Sequence, residues 1–249
     1  MTARLEDAPL AAVLEAAPQD AAATLARLAR EYARSHSPAE TLRFLFDLDT
    51  RLYSLEGETA VAYGGGVHTK HRHIRYHDFF VERIAAGETV LDIGCGYGAV
   101  ACDVATRSAA VVTAIDLNPQ NIQQARERHA GAGVTYIHGD ATRDLPAGHY
   151  DVVILSNVLE HIEHRVEFLK RVSQAATPDR WLLRVPLFER EWRVPLKKEL
   201  GLDWRLDPTH FTEYTQESFE QEIAEAGLEI THKEIRWGEI WSELRNTSL

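Results

Sequence analysis

Two cysteines in 249 residues, Cys95 and Cys102, leave no room for a disulfide framework. A chain that relies on packing alone is expected in a reducing compartment, the cytoplasm. No apolar run approaches the roughly 20 residues that a bilayer crossing needs, and no secretory leader pattern is found, so no membrane partner is expected. Basic residues are in deficit, with 27 Lys and Arg against 38 Asp and Glu and a net charge of −11. That sign argues against nucleic acid as a partner, because a broad phosphate-binding face needs the opposite one. Internal repeats and low-complexity segments are also missing. What remains is a 45% hydrophobic chain, long enough for one sizeable α/β domain with an appendage. Twelve histidines make its true charge sensitive to pH near neutrality.

The chain is organised around Val90 to Val100, VLDIGCGYGAV. Thr89, Val90, Leu91 and Ile93 bracket Asp92 as a buried strand, and Gly94, Gly96 and Gly98 follow at every second position before a segment of helical character, Ala99 to Thr106. Glycine is needed where φ is positive or where backbone must approach a ligand, and the helix behind supplies free N–H groups. A nucleotide-like ligand is therefore expected. A second strand, Val111 onward, ends at Asp116, roughly twenty residues past the glycines, where a carboxylate can take a ribose diol. A third (VTYIHGDAT) ends at Asp140, and a fourth runs from Tyr150 to Asn157, Glu160 and His161. Polar residues thus end every strand, on the edge where open α/β sheets bind ligands. A nicotinamide site would want G-x-G-x-x-G; three past Gly96 stands Ala99, which that site tolerates.

These motifs, D-I-G-C-G-Y-G, I-D, G-D-A and S-N-V-L-E-H in that order, resemble the class I S-adenosylmethionine-dependent methyltransferases from about Phe79 to the C-terminus. The resemblance implies a doubly wound, Rossmann-like α/β fold of seven strands in the order 3-2-1-4-5-7-6. It implies S-adenosylmethionine as cofactor, with Asp92, Gly94, Cys95 and Gly96 at its methionine part, Asp116 and Leu117 at the ribose, Asp140 and Ala141 at the adenine edge and Asn157 below the sulfonium.

Residues 1–66 read as an N-terminal helical cap or homodimer segment. Leu5, Leu10, Val13 and Leu14 mark a first short helix; Leu25, Leu28, Ala29 and Tyr32 a second; and Pro38 opens a third through Leu52. Ordinary core packing is the simplest use for them. Glu56 to Gly66 reads as a linker into residues 67–249, the cofactor-binding domain. Its first stretch crowds His68, His71, His73 and His77 among Lys70, Arg72 and Arg75, a composition suited to a cationic lid on a glycine hinge or to a solvated helix start.

After strand four, Val158, Leu159, Ile162, Val166 and Leu169 recur at helical spacing, placing Glu160 and His161 in a first turn. A long insertion at about 187–212 follows strand five. It is expected to be a non-helical substrate cap, rich in Trp192, Trp204, Arg190, Arg193, Lys197, Lys198 and Arg205, which suits a sugar-like or anionic small-molecule acceptor. The chain closes with a helix capped by Thr215 and ended by Gly227, then two strands, Leu228 to Ile235 and Trp237 to Leu244.

The spacing from Glu160-His161 to D-P-T-H-F-T-E-Y-T is similar to metal-dependent O-methyltransferases of the superfamily, including small-RNA 2′-O-methyltransferases and ubiquinone-pathway enzymes. That resemblance implies a divalent-cation set of Glu160, His161 and His210, although Asn157 stands where those families carry a further glutamate. Carboxylate with imidazole suits Mn²⁺, Fe²⁺ or Zn²⁺ better than Mg²⁺. Without a metal, His161 or His210 is the candidate catalytic base. The function expected is O-methylation of a small polar or sugar-containing metabolite. The alternatives are a metal-free N-methyltransferase, a nicotinamide-dependent oxidoreductase and a cofactor-binding partner protein without turnover.

Overall fold

The computed structural model describes Val13 and residues 15–247. Strands β1 (Thr89–Ile93), β2 (Val111–Asp116), β3 (Thr135–His138), β4 (Val152–Ser156), β5 (Arg180–Pro186), β6 (Leu228–Arg236) and β7 (Glu239–Asn246) form one sheet in the order β3-β2-β1-β4-β5-β7-β6. β1 to β5 pair parallel, and β7 lies antiparallel between β5 and β6. The expected fold and strand order are both found. Residues 152–155 of β4 are wholly buried, as both faces of a parallel sheet must be when helices cover them. Period-two alternation then divides the core. Leu91, Ile93, Val153 and Leu155 join a cluster on one face, while Val90, Val152 and Ile154 join Phe79, Phe80 and Trp241 on the other.

The N-terminal helices are α1 (Pro18–Ser35) and α2 (Pro38–Tyr63), followed by the short α3 (Lys70–Ile74) and α4 (His77–Val81). The expected first short helix lies, Val13 apart, outside the described residues. Three expectations are corrected here. Helix α2 starts with a complete Ser37–Glu40 capping box and runs through Tyr63, so most of the supposed linker is helix. Helix α1 buries no residue, and Leu25 and Leu28 stay more than half exposed, so it does not pack as core. The stretch after strand four is a 3-10 turn, Leu159–His161, separated from α7 (Arg165–Ala176), not one continuous helix. The turn follows from Asn157, whose left-handed φ of 55° swings the chain away from the β4 axis.

Helices α5 (Ala99–Arg107) and α6 (Pro119–Arg128) follow β1 and β2. The insertion after β5 is partly helical, also against expectation, with a 3-10 turn at Phe188–Arg190 and α8 (Arg193–Glu199); α9 (Gln216–Glu225) returns to the sheet under a Thr215–Ser218 capping box. Trp237 begins no strand: it and Gly238 turn the chain between β6 and β7, both at positive φ.

Gly98 shows what the glycine turn requires. Its φ is +75°, and a Cβ there would stand 2.6 Å from the Tyr136 hydroxyl, inside the second core. Gly98→Ala is therefore expected to cost about 2 kcal/mol or more, read as a thermal midpoint lowered by roughly 5 °C. An unchanged midpoint would mean that Tyr136 yields freely.

Candidate active site

The carboxyl ends of β1, β2, β3 and β4 bring the sequence-predicted cofactor residues to one edge of the sheet. The turn after β1 is tied to β2 by the N–H groups of Gly94 and Cys95, both donating to the Ile115 carbonyl at 2.8 and 3.1 Å. The next N–H, of Gly96, donates to Asp116 Oδ2 at 2.8 Å. The other oxygen of Asp116 accepts from the Asn118 N–H at 2.8 Å and the Asn121 amide at 3.0 Å. Asp116 therefore arrives pre-oriented, bridging the glycine turn and the start of α6. Leu117 beside it is 67% exposed, an apolar side chain left in solvent at the rim of the edge.

Asp140, after β3, accepts from the backbone and hydroxyl of Thr142, and these bonds hold its carboxyl below the ordinary range. Ala141 packs on the main core cluster. Asn157, after β4, donates its N–H to the Arg184 carbonyl at 2.8 Å. Gly94 abuts the same segment: a Cβ on it would meet Val158 Cγ2 at 2.6 Å. The Cys95 thiol is half-buried, and burial raises it far above its usual value, so it is an inert lining group.

Asp92 differs from these rim residues. It is 2% exposed, and Oδ2 has no hydrogen-bond partner. Burial, with the nearby Asp116 charge, pushes its pKa up to about 8. In the unfolded chain the value is roughly 3.9, so folding takes up a proton between these limits. The stabilising contribution is therefore full below pH 4 and lost as pH rises through 8. Asp92→Asn mimics the protonated acid and should leave the apo midpoint nearly unchanged at pH 4 while raising it by about 10 °C or more at pH 9. Equal midpoints at both pH values would place Asp92 in contact with water.

Across β4, a second group converges. Glu160 is 0% exposed, and neither carboxylate oxygen has a partner. Burial pushes its pKa up to about 7, against the opposing charges of His210 and Arg184. One donor atom each of Glu160, His161 and His210 lie within 4.8 Å of one another. The imidazoles meet edge to face at 4.6 Å. The loop bearing His210 is fastened here by the Phe211 N–H, which donates to the Glu160 carbonyl at 2.8 Å. A carboxylate buried without hydrogen bonds, with two imidazoles beside it, is the donor set a divalent cation takes; the three residues fit one.

Several groups of this cleft escaped sequence reasoning. Glu213 is fully buried and accepts from His210 Nδ1 at 3.1 Å, from the Leu206 N–H and from Arg190. Thr209 links His161 to Asp207. The one available signal was the i, i+3 spacing of His210 and Glu213. Arg184, on β5, pairs in a bidentate way with Glu239 at 2.8 and 2.6 Å between the rings of Tyr76 and Trp241. Nothing local in the sequence links β5 to β7. The cationic stretch divides: burial and the charge of Arg184 lower the Lys70 pKa, whereas Arg72 turns toward Tyr63 on α2, in a groove with Leu52 and Leu55. His71 and His77 line a separate cavity of about 650 Å³ with Tyr97 and Arg128.

Residues 67–233 match the family described as Methyltransferase domain. An uncharacterized methyltransferase of Mycobacterium tuberculosis is 36% identical over 92 residues, which are 36% of this chain and 46% of that protein. The mitochondrial ubiquinone biosynthesis O-methyltransferase of Schizosaccharomyces pombe is 34% identical over 100 residues, 38% of this chain and 36% of its own. The chain thus spans less than half the length of these relatives. Among solved structures, magnesium protoporphyrin IX methyltransferase of Synechocystis, with bound S-adenosylhomocysteine, superposes with a TM-score of 0.58 at 18% identity, over 70% of this chain and 84% of that one.

Proposed function

The chain belongs to the Methyltransferase domain family, and we propose that it is an S-adenosylmethionine-dependent methyltransferase acting on an oxygen of a small polar or sugar-like acceptor, with a divalent cation held by Glu160, His161 and His210. The observation that carries this reading is the Glu160 carboxylate, buried and unpartnered beside two imidazoles. A structural glutamate at that depth would be expected to have its oxygens hydrogen-bonded.

In this reading the glycine turn and Asp116 seat the cofactor: Gly94, Cys95 and Gly96 pass under the methionine part, Asp116 and Leu117 take the ribose, and Asp140 with Ala141 flank the adenine. Asp92 supplies a buried carboxylate for the amino group, and Asn157 closes the floor. The methyl group is then delivered toward β4 and β5, where Glu160 waits. A sugar hydroxyl is a poor nucleophile, and transfer needs its oxygen in line with the sulfonium and stripped of its proton as the new bond forms. A cation held by these residues would supply that activation by lowering the hydroxyl pKa. The imidazoles of His161 and His210 would serve as its ligands, and the hydroxyl proton would leave to solvent on the side of His161, the more exposed of the two. Lys70 beside Arg184 and Glu239 meets a polar or anionic acceptor. Lys70→Ala should accordingly weaken acceptor or cofactor binding several-fold, and Arg72→Ala, on the α2 side, should leave both unchanged; the reverse pattern would remove Lys70 from the cleft. The N-terminal helices α1 and α2 serve as a cap on the domain that follows or as a dimer contact.

The test is calorimetric titration with S-adenosylhomocysteine, before and after chelation and with Mn²⁺, Mg²⁺ or Zn²⁺ restored, alongside metal analysis. Micromolar product binding with one equivalent of metal is expected. Binding with no metal at any stage would leave the transferase without its cation and turn the reading toward metal-free transfer.

A further inference from the structure

The two histidines of the cleft are held by separate hydrogen-bond chains, and each chain dictates where its proton sits. Thr209 Oγ1 lies 2.9 Å from His161 Nδ1 and 2.7 Å from Asp207 Oδ1, which also accepts the Thr209 N–H at 2.8 Å. A carboxylate only accepts, so the single hydroxyl proton goes to Asp207. The threonine oxygen must then accept from His161, and the ring proton stands on Nδ1. His210 reaches the same state by another route. Its Nδ1 is 3.1 Å from Glu213 Oε1, a carboxylate already bonded to the Leu206 N–H and paired with Arg190, and therefore an acceptor. In both rings Nε2 is left with a free lone pair.

We propose that Thr209 with Asp207, and Glu213 with Arg190, are positioning residues that lock His161 and His210 as Nδ1–H tautomers and aim both Nε2 lone pairs into the space Glu160 leaves open. The inference rests on the cation reading above but does not stand or fall with it, since a lone pair so fixed serves a metal or a proton alike. Asp207, Thr209, His210 and Glu213 all lie on one stretch of seven residues between α8 and α9. This stretch therefore supplies both a donor and the groups that orient two of them. Outer partners of this kind typically change metal affinity 10–100-fold.

The experiment is nitrogen-15 NMR of the intact protein labelled in histidine, recorded above the imidazole titration, together with Mn²⁺ titration. Thr209→Val is nearly isosteric and removes only the hydroxyl, and His210 in the same molecule is the internal control. The wild type should show Nδ1–H at both rings. Thr209→Val should release His161 to the Nε2–H form, leave His210 unchanged and weaken Mn²⁺ at least tenfold, while Thr209→Ser restores both readouts. Glu213→Gln should disturb His210 and not His161. An Nε2–H proton on either ring of the wild type, or a Thr209→Val protein with tautomer and affinity unchanged, would overturn the proposal. A wild type that shows Nδ1–H on both rings yet takes up no Mn²⁺ supports the positioning and overturns the cation reading alone.

Discussion

Asp116→Ala lowers the affinity for S-adenosylhomocysteine by at least about 100-fold in the expected titration, with little change in unfolding temperature. Two losses add. A ribose diol gives the carboxylate two charge-assisted hydrogen bonds, each contributing roughly 1.5–3 kcal/mol, and each 1.4 kcal/mol is a factor of ten. The same carboxylate accepts from Gly96, Asn118 and Asn121, so the alanine variant also loses the strut that holds the glycine turn in shape before ligand arrives. Preorganisation of that kind lowers the cost of binding. Asp116→Asn separates the two effects: its amide keeps one acceptor for the turn but cannot accept twice from the diol, and an intermediate loss is expected. The residue is half-exposed at the sheet edge, and removing its charge also relieves the repulsion on buried Asp92, which offsets the lost hydrogen bonds and keeps the unfolding temperature nearly unchanged. An alanine variant that binds the product as tightly as wild type would move the ribose away from β2 and with it the placement of the cofactor.

How much of this was legible beforehand depends on how local the cause is. The turn after β1 was readable because three glycines at alternate positions have few other uses, and the ends of β2 and β4 were readable because largely apolar runs stop there at Asp116 and Ser156. Helix α9 was readable to within a residue, since Thr215 and Gly227 are end signals that act within one turn. The failures share the opposite character. Val158 to Leu169 carries a helical apolar period, yet the first turn is 3-10 and the helix waits for Arg165, because Asn157 leaves β4 in a left-handed conformation and Phe211, from a remote loop, bonds to the Glu160 carbonyl. Periodicity records which residues face the core and says nothing of a backbone redirected by a distant partner. Glu56 to Gly66 reads as a linker, but a capping box at Ser37 some twenty residues upstream launched a helix with nothing to stop it before Gly64. The Arg184–Glu239 pair and the Glu213 and Thr209 contacts depend on strands and loops that meet only in the folded chain. Candidate ligands were visible as residue types, and the groups that orient them were not.

Glu160→Gln is the substitution that separates a working carboxylate from a structural one. If Glu160 held the fold, removing its charge would break hydrogen bonds, but it has none on either oxygen. A neutral amide of the same shape relieves the desolvation of a buried charge and leaves the surrounding packing in place, so the variant should be at least as stable as wild type. Its affinity for S-adenosylhomocysteine should stay within about threefold, because Asp116, Asp140 and the glycine turn lie on the other strands. Methyl transfer, by contrast, should fall roughly 10²- to 10⁴-fold, the range over which an activated acceptor hydroxyl differs from an unassisted one, and bound metal should fall below stoichiometry. His161→Ala should reproduce the loss of metal and turnover. A protein that gains stability while losing activity is the signature of a residue kept for function against its folding cost. The measurement is a pair of curves on one preparation, thermal unfolding and single-turnover methyl transfer. A Glu160→Gln protein that turns over at the wild-type rate would return the carboxylate to the fold and leave His161 as the group to test.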